Sequence, residues 1–246
     1  MSVQLHELSL RYPGGPVVID RLSTRIEAGE FVAVLGASGC GKSSLLNIIA
    51  GLLPPTAGWV EVPADGAAFM FQDANLLPWL NAAQNVELAL KLAGIPADQR
   101  GQDAHRLLEL VQLGHAAQRK PHELSGGMRQ RVALARALAQ QRQVLLMDEP
   151  FAALDAITRD LLHEQLRDLW RSSGKTIIFV THNVREAIRL AGRILVLSSH
   201  PGRILETRQV SDALRNNPVR AADLADELTA ILRKEQAKNE HSRTPA

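Results

Sequence analysis

The sequence predicts an α/β fold in which a mostly parallel core sheet is joined by a small antiparallel β subdomain and a helical insertion. Two observations predict it. Short, uninterrupted apolar runs at 31–35, 144–147, 176–181 and 193–198 have strand length and are separated by helical segments, the pattern of buried parallel strands linked by helical crossovers. Residues Gly36 to Ser43, G-A-S-G-C-G-K-S, follow the first run directly and form a complete G-x-x-x-x-G-K-[ST] phosphate loop.

The elements follow in chain order. Residues 1 to about 30 alternate polar and apolar side chains (V-Q-L-H-E-L-S-L), are broken by P-G-G-P, and suggest together with Gly58–Val62 a small antiparallel sheet that carries Tyr12. Phe31–Leu35 (F-V-A-V-L) reads as a strand buried on both faces, and the segment from Ser44 (S-L-L-N-I-I-A-G-L-L) as a helix with one apolar stripe. The phosphate loop therefore sits between a strand and a helix, the context that separates it from an ordinary glycine-rich turn. Its glycines let the backbone curl around an anion, so that N–H groups at the helix start converge on phosphate oxygens. Lys42 supplies a mobile charge for the β- and γ-phosphates, and the Ser43 hydroxyl is a candidate Mg²⁺ ligand. The candidate nucleotide-binding residues here are Gly36, Ala37, Ser38, Gly39, Cys40, Gly41, Lys42, Ser43 and Ser44.

Residues 84–136 contain no convincing strand and read as a helical insertion (N-V-E-L-A-L-K-L-A-G, then R-L-L-E-L-V-Q-L-G) that ends in a long Ala/Leu/Arg helix opened by Ser125-Gly126-Gly127. A helix start with a small hydroxyl and bare amides is a second anion site by chemistry, although taken alone it is also an ordinary N-cap. Val144–Met147 then leads straight into Asp148-Glu149, as for a buried parallel strand delivering two carboxylates at its C-terminal edge. Neighbouring carboxylates on a strand point different ways and can take different roles. Asp148 is the candidate Mg²⁺ holder, and Glu149 is aimed at the water that attacks the γ-phosphorus. After Gly202 the pattern weakens. Pro218 starts a helix with apolar Leu224, Leu228, Ile231 and Leu232, and the last ten residues are polar and expected to fray.

Composition sets limits. A chain of 246 residues with 46% hydrophobic content can bury a substantial core. The apolar runs are strand-sized, and the N-terminus lacks a charged start followed by an apolar centre, so the chain is expected to remain soluble and inside the cell. One cysteine, Cys40, permits no internal disulfide and fits a reducing compartment; lying at a variable position of the phosphate loop, it is not read as catalytic. A formal net charge of +2 does not argue for a nucleic-acid partner.

L-S-G-G followed by R-Q-R-V-A-L-A-R-A-L, lying between a phosphate loop and an acidic strand end, resembles the signature of ATP-binding cassette (ABC) transporter ATPases, and the match spans about Tyr12 to Gly202. The resemblance implies a P-loop NTPase of the ABC cassette type, residues 1–210 with the helical subdomain at about 84–136, followed by a helical tail at 211–246. It further implies that ATP is sandwiched in a head-to-tail dimer of two copies, each ATP meeting the phosphate loop of one chain and Ser125, Gly126 and Gly127 of the other. Met128 replaces the glutamine common after Gly-Gly, which removes one polar contact. Tyr12, in R-Y-P-G-G, matches the aromatic that stacks on adenine. Gln72 matches the glutamine that senses Mg²⁺ and the attacking water, Asp155 the loop that crosses the dimer interface, and His182 the histidine that contacts the γ-phosphate.

The segment after Gln72, D-A-N-L-L-P-W-L-N-A-A-Q-N-V, carries Leu76, Leu77, Trp79 and Leu80 around a proline, more apolar surface than a short connector needs. Either it packs beneath the insertion or, as the resemblance implies, it receives a helix of a transmembrane permease. L-L-P-W, L-A-G-I, M-D-E-P-F-A-A-L-D-A-I-T-R-D and L-S-S-H-P-G-R-I look most like the nitrate, sulfonate and taurine importer branch. That branch implies a peripheral ATPase at the cytoplasmic face of the inner membrane, served indirectly by an extracytoplasmic substrate-binding protein. An exporter subunit and a soluble ABC ATPase remain alternatives at this level.

Overall fold

The computed structural model describes residues 2–243. In chain order the elements are β1 (Val3–Arg11), β2 (Val17–Ile26), β3 (Phe31–Leu35), α1 (Lys42–Ile49), β4 (Ala57–Glu61), β5 (Ala67–Met70), α2 (Ala82–Leu92), α3 (Ala97–Leu110), α4 (Gly126–Ala139), β6 (Val144–Asp148), α5 (Ala156–Ser173), β7 (Thr176–Thr181), α6 (Val184–Leu190), β8 (Arg193–Leu197), β9 (Ile204–Gln209), α7 (Asp212–Arg215) and α8 (Pro218–Arg243). They form two compact units, Met1–Ala64 with Thr176–Ala246, and Asp65–Lys175.

In the first unit β1 pairs antiparallel with both β2 and β4. Its apolar alternation slips between Leu5 and Leu8, where the register shifts and Glu7 adopts φ 44, so that Val3, Leu5, Leu8 and Leu10 are all buried despite the broken period of two. β3 pairs in parallel with β7 and with β8, and β8 pairs antiparallel with β9. Every residue of β3 and β7 is buried, which is why both read as uninterrupted apolar runs. Phe31 and Phe179 meet edge to face across them, ring centroids 5.6 Å apart.

In the second unit β5 pairs in parallel with β6, and α2, α3 and α4 occupy the region predicted as a helical insertion. Asn81 and Gln84 close a reciprocal capping box at the start of α2, each side chain accepting from the other's backbone N–H at 2.8 and 3.0 Å. α5 ends at Gly174, whose φ of 62 terminates the helix in the left-handed region.

Two strands escape the sequence reading. β5 is four residues long and half alanine, and β9 (I-L-E-T-R-Q) alternates at an edge without a buried run; neither shows the apolar block that marks β3 or β6. In the tail, α8 runs from Pro218 to Arg243, with Lys238 paired to Glu235 one turn earlier. Residues 244–246 lie outside the described residues.

Candidate functional site

The phosphate loop leaves the C-terminal end of β3 and enters α1 through Gly41, which adopts φ 97. Only glycine fits there: a Cβ would need the left-handed region and would come within 3.0 Å of Val18 Cγ1 and 3.1 Å of Ile19 Cγ1. No side chain caps α1, which leaves its N-terminus open to an anion. Lys42 is 7% exposed, and its ammonium donates to the carbonyls of Gly36 and Ala37, both at 2.9 Å, which holds the charge inside the curve of the loop. Cys40 is buried, and burial pushes its thiol up despite the nearby charge of Lys42. Ser38, Gly39 and Ser43 are exposed. The hydroxyls of Tyr12 and Ser44 lie 3.0 Å apart, tying the 43%-exposed aromatic ring to the first turn of α1. His182 is exposed immediately after β7, followed by Asn183, which caps α6 through the amides of Arg185 and Glu186. The first unit thus brings together the loop and Tyr12, and carries His182 at the end of the strand beside β3.

The second unit carries the remaining candidates. Asp148 is buried as the last residue of β6, and Glu149 follows it half-buried with φ 45, a conformation uncommon for a side chain of this kind and one that sets it apart from the strand direction. Ser125 caps α4, its hydroxyl accepting from Met128 N at 3.2 Å, and Ser125 and Gly126 are exposed. Gly127 is more enclosed, with Ala153 O 3.2 Å from where its Cβ would lie. Asp155 is exposed and caps α5 by accepting from Thr158 N at 3.0 Å; hydrogen bonds from Thr158 hold its carboxyl below the usual range. Gln72 is exposed after β5.

Comparison with known proteins decides the family. Residues 19–152 match the ABC transporter family. The taurine import ATP-binding protein TauB of Mesorhizobium japonicum is 44% identical over 228 residues, 88% of this chain and 89% of that protein. TauB of Escherichia coli K12 is 44% identical over 220 residues, 87% of this chain and 86% of that protein. The chain belongs to the ABC transporter family. Among solved structures, the ATP-binding cassette MJ0796, determined as a dimer in a post-hydrolysis state bound to ADP and Pi, superimposes with a TM-score of 0.79 at 33% identity, covering 85% of this chain and 99% of that one. As an ABC ATPase the chain binds and hydrolyses ATP.

The second unit holds the Gln72 segment through side chains that motif reading missed. Gln130 on α4 donates to Gln72 O at 2.7 Å, and Arg136, two turns further on, donates to Asn75 O and Ala74 O at 2.7 and 2.6 Å. The signature helix therefore grips the backbone of the Gln72 segment at three points. Burial pulls the Arg136 guanidinium down, and those carbonyls satisfy it. The available signal was polar side chains on a helix otherwise rich in buried Ala, Val and Leu. Asn85 likewise accepts from Leu77 N at 2.9 Å and donates to Leu80 O and Asn81 O, shaping the connector from beneath. Trp79 is 67% exposed, which removes the reading that it packs under the insertion. In the same unit a groove of about 410 Å³, to which Trp79 does not contribute, is lined by Phe71, Leu77, Leu88, Leu92 and Arg136 among others.

Ser43, Gln72 and Asp148 offer hydroxyl, amide and carboxylate oxygens, the all-oxygen donor chemistry that a hard cation such as Mg²⁺ takes, with few protein ligands and the balance from phosphate and water. Among the described residues no helix is long and apolar enough to cross a membrane.

Proposed function

We propose that this chain is the ATP-hydrolysing subunit of an importer for a small oxyanion, with taurine or a related sulfonate as the first candidate, peripheral to the cytoplasmic face of the inner membrane. The observation that carries this reading is the 44% identity to two taurine import ATP-binding proteins over nearly nine-tenths of each chain.

In this reading catalysis is positioning and charge stabilisation rather than covalent chemistry. The amides of Gly39 to Ser43 and the Lys42 ammonium hold the β- and γ-phosphates, Tyr12 stacks on adenine, and His182 steadies the transferring phosphoryl group. Glu149 orients and polarises the attacking water, and Gln72 reports its presence. Ser43, Asp148 and Gln72 would hold Mg²⁺, which supplies neutralisation of phosphate charge when bound. Two copies close head to tail, each offering Ser125, Gly126, Gly127 and Asp155 to the nucleotide held by the other. The groove lined by Phe71, Leu77, Leu88 and Leu92 takes a helix of the transmembrane permease, with exposed Trp79 of the same connector as a second contact. Its size, its apolar lining and the exposure of Trp79 support that assignment, since aromatic anchors in such grooves supply much of an interface's energy. An extracytoplasmic binding protein reaches the complex through the permease.

The test is reconstitution with a permease and binding protein of the taurine importer type, with taurine, an alkanesulfonate and nitrate as alternative substrates. The reading expects substrate-stimulated ATPase with at least one of these, and its loss with Glu149→Gln, by about 10²–10⁴-fold. Trp79→Ala is expected to lower permease association and stimulated ATPase together while the melting temperature of the isolated chain holds. A cassette that co-purifies with no membrane protein and shows full turnover alone would overturn the importer reading.

A further inference from the structure

α8 carries a buried charge where its packing calls for none. Leu224, Leu228 and Leu232 form its buried stripe, and the next position on that stripe is Glu235, 4% exposed. An aliphatic residue there would extend the contact without desolvating a carboxylate. What the carboxylate does is specific: Glu235 Oε2 accepts from the backbone N–H of Ser199 at 3.0 Å, while Oε1 accepts from the Lys238 ammonium at 2.5 Å. Burial pushes this carboxyl up, but the Lys238 and Ser199 donors outweigh it and hold the group below its ordinary range, ionised at neutral pH.

Ser199 belongs to the connection between β8 and β9, and that connection is braced. Ser198 Oγ donates to Pro201 O at 2.5 Å and accepts from Arg203 N at 2.9 Å, and Ser198 N donates to Arg203 O at 2.9 Å. Its far end is locked to β2, with Gly202 N donating to Val18 O at 2.8 Å and Asp20 N to Gly202 O at 3.1 Å. The same residue touches the phosphate loop: a Cβ on Gly202 would lie 2.4 Å from Cys40 O, so the two backbones are in direct contact. His200 lies alongside exposed Gly39, its Cε1 3.7 Å from where a Cβ would be. Val18 in turn bounds Gly41. A displacement of Ser199 therefore has a short path to the loop, through His200 to Gly39 and through Gly202 to Cys40.

We propose that Glu235 is a positioning residue for ATP binding: from the tail helix it fixes Ser199, and through His200 and Gly202 it sets the shape of the phosphate loop. This rests on the phosphate loop being the nucleotide site. The tail is then a built-in determinant of nucleotide affinity rather than a passive appendage.

The full-length chain tests this, with basal ATPase measured against ATP concentration, mant-ATP binding by fluorescence, and melting temperature. Glu235→Leu continues the apolar stripe and removes the acceptor; it is expected to raise KM for ATP and the mant-ATP Kd about 5–10-fold with kcat within about twofold. Glu235→Gln keeps an acceptor oxygen and is expected to restore most of the affinity. His200→Ala removes the ring alongside Gly39 without disturbing a buried group, is expected to weaken mant-ATP binding, and should be non-additive with Glu235→Leu. If Glu235→Leu unfolds, Glu235→Ala, which also removes the acceptor, takes its place in the affinity measurement and in the cycle with His200→Ala. Unchanged affinity in a folded Glu235→Leu chain, or strict additivity with His200→Ala, overturns the proposal. Lys42→Ala is the control: loss of mant-ATP binding there beside normal binding in Glu235→Leu defeats this inference alone, whereas retained binding in Lys42→Ala defeats the site reading as well.

Discussion

The chain offers two helix starts of similar chemistry, and they are finished differently. α1 begins at Gly41 in the left-handed region with no side-chain cap, below a buried lysine that the loop's own carbonyls hold. α4 begins at Ser125, whose hydroxyl already satisfies Met128 N, and its Ser-Gly edge is exposed. The first start is a loop with no side-chain cap that curls around its own lysine and suits an anion; the second is a capped, exposed edge that can be presented to another molecule. One sequence signal, small residues before a helix, thus covers two physical situations, and burial separates them.

That contrast breaks most sharply on mixing. Lys42→Ala and Ser125→Arg are each expected to lower hydrolysis by about 10²-fold or more, while a mixture that exchanges chains regains activity because one composite site is intact. Heterodimers with no recovery would show that α4 does not act in trans.

A smaller effect separates the glycines. Gly41→Ala forces a side chain into φ 97 against Val18, so a loss of about 1–3 kcal/mol in stability is expected together with weakened nucleotide binding. Gly126→Ala meets only Arg129 Nη2 at 3.9 Å, and its melting temperature is expected to stay within about 2 °C, no more than the shift of about 2–4 °C that one lost kilocalorie gives in a domain of this size. Equal melting shifts in thermal denaturation would remove the contrast. Ser125→Ala lies between them, with about 1 kcal/mol lost from the missing cap.

The smallest effect concerns reactivity. Only the thiolate is nucleophilic, and burial raises the Cys40 pKa above its ordinary value of 9.0, so the reactive form is scarce at neutral pH and grows only as pH rises beyond that value. Slow iodoacetamide labelling at pH 7, slower than for a free thiol, followed by mass spectrometry, is the expected result. Rapid labelling at pH 7 would mean that the loop leaves the thiol open rather than buried.

Much of this was legible beforehand because its cause is local. The apolar blocks of β3, β6 and β7 announce strands buried on both faces, and the phosphate loop carries its own context on either side. β5 and β9 were not legible, since a four-residue strand and an edge strand lack that block and owe their pairing to neighbours distant in sequence. Trp79 was ambiguous for the same reason: an aromatic in a connector has no periodicity, and only the packed chain shows it standing 67% exposed.

The sequence by itself determined the α/β class, the order of the motifs and the chemistry they offer, because strand burial, helix periodicity and a glycine-lined anion loop are properties of contiguous residues. Tertiary structure decided which amides are already satisfied, that Gln130 and Arg136 grip the segment after Gln72, and that Glu235 reaches Ser199 thirty-six positions away. Those contacts join residues with no fixed spacing, so no local pattern encodes them. They exist because a buried polar group must find a partner, and only the folded chain supplies one.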